Sequence, residues 1–219
     1  MDEKQHYHST KELDHILHQV PPDYYQKSIE SNILQKRWHT GKLSAVLQSI
    51  GSFQPKKVLD VGCAGGWFIS EMAKKYPHTK CYGVDVYEPA ISYAKKRYEA
   101  ITFSTADAHK LPYQNESFDL IVCTEVLEHV IDPKNVMDEI TRILKKDGIA
   151  IIEMDSGNLL FRIIWHWWTN MRKGVWKDSH IHAFTAKKLE TLLKKSTLKI
   201  KTQRSFNFSM AVVFRLEKS

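Results

Sequence analysis

The sequence predicts an α/β fold built on a doubly wound, mostly parallel sheet of seven strands that ends in a C-terminal antiparallel hairpin. Three observations carry that expectation. Short β-branched runs alternate with helical stretches through the centre of the chain, the pattern of β-α-β units. A glycine-rich turn, VLDVGCAGGWF from Val58 to Phe68, follows the first such run directly. The run FDLIVCT is almost wholly apolar, as a strand covered on both faces should be.

Each element follows in order. The stretch YYQKSIESNILQKRWH reads as one helix, giving a helical cap over residues 1–40 ahead of a domain spanning 41–219. KVLDV is the first strand. WFISEMAKKY is a helix with apolar residues at Phe68, Ile69, Met72, Ala73 and Tyr76, stopped by Pro77. CYGVDV is the second strand, and EPAISYAKKRYEA a helix with proline near its start. ITFSTAD is the third strand and FDLIVCT the fourth. NVMDEITRILKK forms an amphipathic helix ending at Asp147 and Gly148, which hands over to the strand IAIIEM. An aromatic-rich insertion over about 156–182 breaks the rhythm before TAKKLETLLKK, a helix capped by Thr185. LKIKTQRSF and SMAVVFRL lie close enough to pair as the hairpin.

Bulk properties narrow the function classes. The 219 residues, 42% hydrophobic, suffice for one sizeable core. The net charge of +7 invites a nucleic-acid partner, but Lys74-Lys75, Lys145-Lys146, Lys187-Lys188 and Lys194-Lys195 fall on or beside helices, where cations favour solvated faces and C-terminal ends. That scatter argues against nucleic acid. The longest apolar run, LLFRIIWHWW, is too short to cross a bilayer and carries Arg162 and His166. The polar, partly acidic N-terminus resembles neither a secretion signal nor a transit peptide, so a cytoplasmic protein is expected. Cys63, Cys81 and Cys123 form no C-x-x-C pair and sit in apolar surroundings, which argues against disulfides and a zinc knuckle. His6, His8, His15 and His18 include close spacings that could suit a metal, but a solvated helix and tail is the expected reading, so no metal is expected.

A glycine-rich turn between a strand and its helix lets a ligand approach bare main chain at the helix's positive end. The dinucleotide fingerprint would need glycine at positions held here by Gly62, Ala64 and Trp67, and two of the three fail. A nicotinamide oxidoreductase is disfavoured accordingly. The string instead resembles motif I of the class I S-adenosylmethionine-dependent methyltransferases, of small-molecule and lipid type, matched by Val58, Leu59, Asp60, Gly62, Ala64 and Gly66. The likeness runs from about Lys57 to Asp155, and more weakly to Leu216. It implies a Rossmann-like sheet and S-adenosylmethionine as methyl donor, with S-adenosylhomocysteine as product. It further implies that Asp60, Gly62, Ala64 and Gly66 cradle the methionine end, and that Asp85, with Val86 beside it, holds the ribose hydroxyls. Asp107 would face the adenine amino group, Ala108 would donate its amide to the ring, and Thr124 would offer its carbonyl to the methionine ammonium. The chemistry agrees with the likeness: this nucleoside carries an ammonium and a sulfonium, which carboxylates and carbonyls suit.

Transfer from a sulfonium is an in-line displacement that depends mainly on positioning, and a base is needed only for an acceptor that holds its proton. His129 and His182 are the candidate bases, with Glu125, Glu128 and His180 beside them; for each histidine the competing reading is a structural hydrogen bond. The insertion carries Arg162, Arg172, Lys173 and four tryptophans. It reads as a lid or homodimer surface, or as an apolar acceptor pocket that makes peripheral membrane contact through residues 159–173. A small, apolar or lipid-like acceptor is expected. The rivals are an RNA methyltransferase, although adenine-amino and cytosine-C5 signatures are missing where the chain reads TEVL, and a non-catalytic nucleotide-binding module of the same fold.

Overall fold

The chain is described from a computed structural model covering residues 20–171 and 181–218, with the backbone alone for 168–171. Its order is α1 (Tyr24–Ser31), α2 (Ile33–Ile50), β1 (Lys57–Val61), α3 (Trp67–Lys75), β2 (Lys80–Asp85), α4 (Glu88–Arg97), β3 (Thr102–Thr105), β4 (Phe118–Thr124), α5 (Pro133–Ile143), β5 (Leu144–Asp155), α6 (Leu159–Met171), α7 (Ala186–Leu193), β6 (Lys199–Phe206) and β7 (Ala211–Glu217). The strands form one seven-stranded sheet in the order β3-β2-β1-β4-β5-β7-β6. β1 to β5 pair in parallel, and β7 runs antiparallel to both β5 and β6. The fold class expected from sequence holds.

Alternation along the strands divides the core between two layers. On β4, Leu120 and Val122 pack with Val46, Ile50, Ile69, Met72 and Ile91, so α2, α3 and α4 cover that face. Ile121 and Cys123 pack with Met137, Ile140, Leu189 and Leu193, so α5 and α7 cover the other. Each strand is therefore apolar on both sides, which is why FDLIVCT reads as a continuous run. The three cysteines are buried and free.

Two elements correct the sequence expectation. The single N-terminal helix is two: Asn32 takes an extended conformation (φ −132°, ψ 114°) and its side-chain oxygen accepts from the Leu34 and Gln35 amides. Asparagine bonds backbone better from a cap than from within a helix, so it opens a second helix there. α2 then runs unbroken through Gly41, where a Cβ would collide with the Asn207 amide, so the residues assigned to cap and domain share this helix. The second correction lies at α5, which ends at Ile143 instead of Gly148. Leu144 is already extended and fully buried, pairs with Phe118, and leads β5 through an irregular step with Asp147 at φ 61°.

The sheet order reverses between β1 and β4, leaving a crevice at their carboxyl ends, where open α/β sheets bind ligands. α1 and α2 close this crevice from one side and α6 from another.

Candidate functional site

Parallel pairing brings the ends of β1, β2 and β3 to one edge, and the glycine turn sits among them. Gly62 (φ 75°) and Gly66 (φ 81°) occupy left-handed backbone, and Ala64 does so at φ 45° despite its side chain. The Gly62 and Cys63 amides donate to the Val84 carbonyl at 2.8 and 3.0 Å. Asp85 ties the turn together, accepting from the Ala64 amide at 2.8 Å and the Tyr87 amide at 2.9 Å. Burial raises the Asp85 carboxyl, with these amides and that of Val86 opposing. Asp60 lies beneath, 1% exposed, with one carboxyl oxygen unpartnered. Burial and the neighbouring Asp85 push its carboxyl well up.

The other residues singled out from sequence are spread around this centre. Val86 is exposed and Thr124 and Ala108 are half-buried. Asp107 is held low: burial opposes ionisation, but it accepts from the His109 amide and ring, the Nδ1 contact being 2.7 Å. His109 Nε2 in turn accepts from the Asp132 amide at 3.1 Å. His129 lines the cavity described below and bears electrostatically on Asp85. His182 instead bonds the Val130 carbonyl at 2.9 Å, while its amide and that of Ile181 donate to the Glu128 carbonyl. His180, His6, His8, His15 and His18 lie outside the described residues. Among the described residues, no group of three or more His, Cys, Asp or Glu could hold a metal ion.

A cavity of about 670 Å³ is walled by residues of α1, α2, α6, the loop after β4 and the β6–β7 turn. Its aromatic wall is a stack across two helices: Trp38 on Phe161 (6.5 Å, 29°) and Phe161 on Trp165 (5.7 Å, 23°). Asn158 holds α6 in place, its side-chain oxygen accepting from the Phe161 amide and its nitrogen donating to the Ser209 carbonyl. Tyr25 packs edge-on against His39, and His39 against Trp67, so the Trp67 ring is engaged with α2. The Pro22 carbonyl lies 2.7 Å from where a Gly65 Cβ would stand, so the segment leading into α1 crosses directly over the glycine turn.

Under the aromatic wall is a buried charge cluster, of which the sequence singled out Glu125 and Glu128 but not Lys42, Glu153 or Asp155. Lys42, 3% exposed, reaches from α2 to Glu125 at 2.5 Å and Glu153 at 3.8 Å. Burial would deprotonate this lysine, but the two carboxylates raise it instead. Glu125 also accepts from the Trp38 indole and is held well below the usual carboxylate range, Lys42 overcoming its burial. Glu128, Glu153 and Asp155 are buried; no hydrogen bond from a described residue reaches either oxygen of Glu128 or Glu153 or one oxygen of Asp155, the long Lys42 contact being the partner of Glu153. Burial pushes all three up, Glu128 to about 8.

These shifts set the pH dependence of stability. Folded Glu128 keeps its proton to about pH 8 whereas the unfolded chain releases it near 4.5, so the folded state binds more protons in between and stability falls as pH rises. His39, lowered to about 4 from 6.5 by burial and Lys42, acts the opposite way below 6.5. The window from 6.5 to 8 isolates the carboxyls. Denaturant unfolding is expected to show a loss of about 1–2 kcal/mol across it, and Glu128→Gln should flatten the slope.

A family model described as a methyltransferase domain matches residues 35–203 of the chain. Among curated proteins, the chain is 32% identical over 107 residues to the demethylmenaquinone methyltransferase of Thermotoga maritima, covering 49% of this chain and 47% of that protein. It is likewise 32% identical over 122 residues to a ubiquinone biosynthesis O-methyltransferase of a Shewanella species, covering 54% and 51%. The chain thus spans about half the length of the curated relatives it matches. Among solved structures, the N-methyltransferase NodS of Bradyrhizobium japonicum, in complex with S-adenosyl-L-homocysteine, superposes with a TM-score of 0.66 at 21% identity over 95% of this chain and 97% of its own. That likeness establishes the fold. The left-handed glycine turn, which leaves main chain bare, and the buried Asp60, one of whose carboxyl oxygens is unpartnered, have the chemistry that a ligand carrying an ammonium and a sulfonium requires. The family match over most of its length, on this fold, places the chain among the class I S-adenosylmethionine-dependent methyltransferases.

Proposed function

We propose that the chain transfers a methyl group by in-line displacement to a small, apolar or lipid-like acceptor held in the aromatic cavity. The observation that carries this reading is the position of that cavity. It is walled by the Trp38–Phe161–Trp165 stack and by Glu125, Glu128 and His129 of the loop after β4, the loop whose Val126 packs against Gly62 of the glycine turn. The names of the relatives, a demethylmenaquinone and a ubiquinone-biosynthesis methyltransferase, point to the same acceptor class.

When bound, S-adenosylmethionine supplies an electrophilic methyl whose sulfur leaves neutral. On this reading Gly62, Ala64 and Gly66 give its methionine end close approach to main chain, and Asp60 offers its free oxygen to the ammonium. The Thr124 carbonyl adds a second acceptor for that ammonium. Asp85, already fixed by two amides, receives the ribose hydroxyls next to Val86, while Asp107 and the Ala108 amide take the adenine edge. Asp107 is aimed by His109. The segment at Pro22 and α1 shuts water out, and catalysis rests on holding donor and acceptor at attack distance. His129, on the cavity side of Asp85, is placed to take an acceptor proton, and His182 holds the loop that carries it.

A membrane-facing role for α6 is supported by its surface. Leu159, Ile163 and Trp167 are exposed on it, as is Phe208 (85%) at the cavity rim, with Arg162, Lys36 and Arg37 exposed nearby. No helix among the described residues is long and apolar enough to cross a membrane; the contact proposed is peripheral, from the cytoplasmic side, through this exposed apolar face. Radiolabelled methyl transfer into a fractionated cell extract tests the acceptor: label should enter the lipid pool, and label confined to RNA would overturn the assignment. The protein should also pellet with anionic liposomes at low salt, and Ile163→Ser with Trp167→Ser should release it; failure to pellet would remove the membrane contact.

A further inference from the structure

The cavity combines two features that an apolar acceptor alone does not require. Its wall is aromatic, and its buried lining includes Glu128 (2% exposed), neither of whose carboxyl oxygens bonds another described residue, and Asp155 (9%), one of whose carboxyl oxygens is likewise unpartnered. Buried acids are normally satisfied, because leaving them unpaired costs more than any single hydrogen bond gains. The cluster's own cation does not meet this need. Lys42 is committed to Glu125, at 2.5 Å, and reaches only Glu153 beyond it. His39 is kept neutral at physiological pH by burial and by Lys42.

We propose that the acceptor's apolar body carries a protonated amine, with Glu128 and Asp155 as its counter-ions and Trp38, Trp165 and Tyr25 as its aromatic enclosure. The inference rests on the methyltransferase reading above and adds a cationic head to its acceptor. Aromatic faces attract cations, most strongly where water is excluded, and carboxylates beneath them select an ammonium over a neutral group of equal size. With an amine as acceptor the proton goes to Glu128 instead of His129: before transfer the ammonium gives a proton to the Glu128 carboxylate. The freed nitrogen lone pair then forms the C–N bond while the methyl C–S bond breaks, its electron pair staying on sulfur.

The groups facing Glu128 define what its titration should look like. From α2 come Lys42 and His39, from α1 Tyr25, from β5 Glu153 and Asp155, from β4 Cys123, and on its own loop Glu125 and His129. Three of the eight are carboxyls, and burial raises those of Glu153 and Asp155 along with Glu128 itself, so the empty cavity holds protons that an incoming ammonium displaces.

Isothermal titration with n-octylamine and n-octanol, in buffers of different ionisation enthalpy, reads this directly. At pH 7 octylamine should bind about tenfold or more tightly than octanol, with net proton release. Glu128→Gln should cut the preference and abolish the release, and Asp155→Asn should weaken it, while S-adenosylhomocysteine still binds both variants and shows them folded. Equal binding of amine and alcohol, or amine binding without proton release, would overturn the cationic head and leave the apolar reading standing. Loss of S-adenosylhomocysteine binding by the unaltered protein would instead remove the methyltransferase reading beneath it.

Discussion

Replacing Lys42 by methionine should destabilise the protein by about 3–5 kcal/mol at pH 7, the range for breaking a buried ion pair from one side. Methionine keeps the stem that crosses the α2 interface but removes the only side-chain cation contacting Glu125 and Glu153 among the described residues. Glu125 is ionised only because Lys42 overcomes its burial, so in the variant it must either stay charged and unpaired or take up a proton. The second course caps the loss and gives it a signature: the deficit should shrink as pH falls toward the ordinary glutamate range near 4.5. Adding Glu125→Gln should recover much of the stability, because the orphaned charge is then gone, although the bond from the Trp38 indole would persist to the amide oxygen. Urea unfolding of the three proteins at pH 5 and pH 7 checks both expectations. A loss under 1 kcal/mol at pH 7, or no recovery in the double variant, would mean that the cluster does not hold α2 to the sheet.

The same lysine shows what could be read from sequence and what could not. β1, β2, β4 and β5 announce themselves because both faces of each are covered, and the glycine turn because its backbone conformations exclude most side chains. The strand-end acids Asp60 and Asp85 follow from those two facts. Lys42 gives no such signal: in QKRWHTGKLSAV it is one of several cations on a helix, and only the packing of α2 decides that it points inward. Glu153 and Asp155 are equally mute, since a carboxylate at the end of a strand reads as solvated. The break at Asn32 was legible in principle, as asparagine favours caps, but the helical periodicity on either side hid it. Leu144 inverted the local evidence: ILKK continues a helical pattern, and pairing with Phe118 prevails. The cavity depends on α1, α2 and α6 meeting, a tertiary event with no local trace.

Gly62→Ala tests the turn itself and should be the most damaging change to donor binding. Two penalties add. The first is conformational, since φ 75° in the left-handed region costs an alanine roughly 1–2 kcal/mol. The second is steric, because the new Cβ would collide with a methyl group of Val126 on the loop after β4. Relief requires that loop to move, and it carries Glu125, Glu128 and His129, so the damage spreads from the donor side to the cavity. Affinity for S-adenosylhomocysteine is expected to fall by about 100-fold or more, given that overpacking alone commonly costs about 1–3 kcal/mol. Gly51→Ala separates the terms: Gly51 has a similar φ of 66°, but its nearest neighbour is the Arg215 guanidinium at 3.8 Å. That variant should lose stability by the conformational penalty alone and bind the nucleoside normally. Val126→Ala added to Gly62→Ala removes the colliding methyl and should restore affinity to within about tenfold of the original, leaving the left-handed strain behind. If the double variant binds no better than the single one, close approach of ligand to the Gly62 backbone, and not pressure on the loop, is what the missing side chain protects.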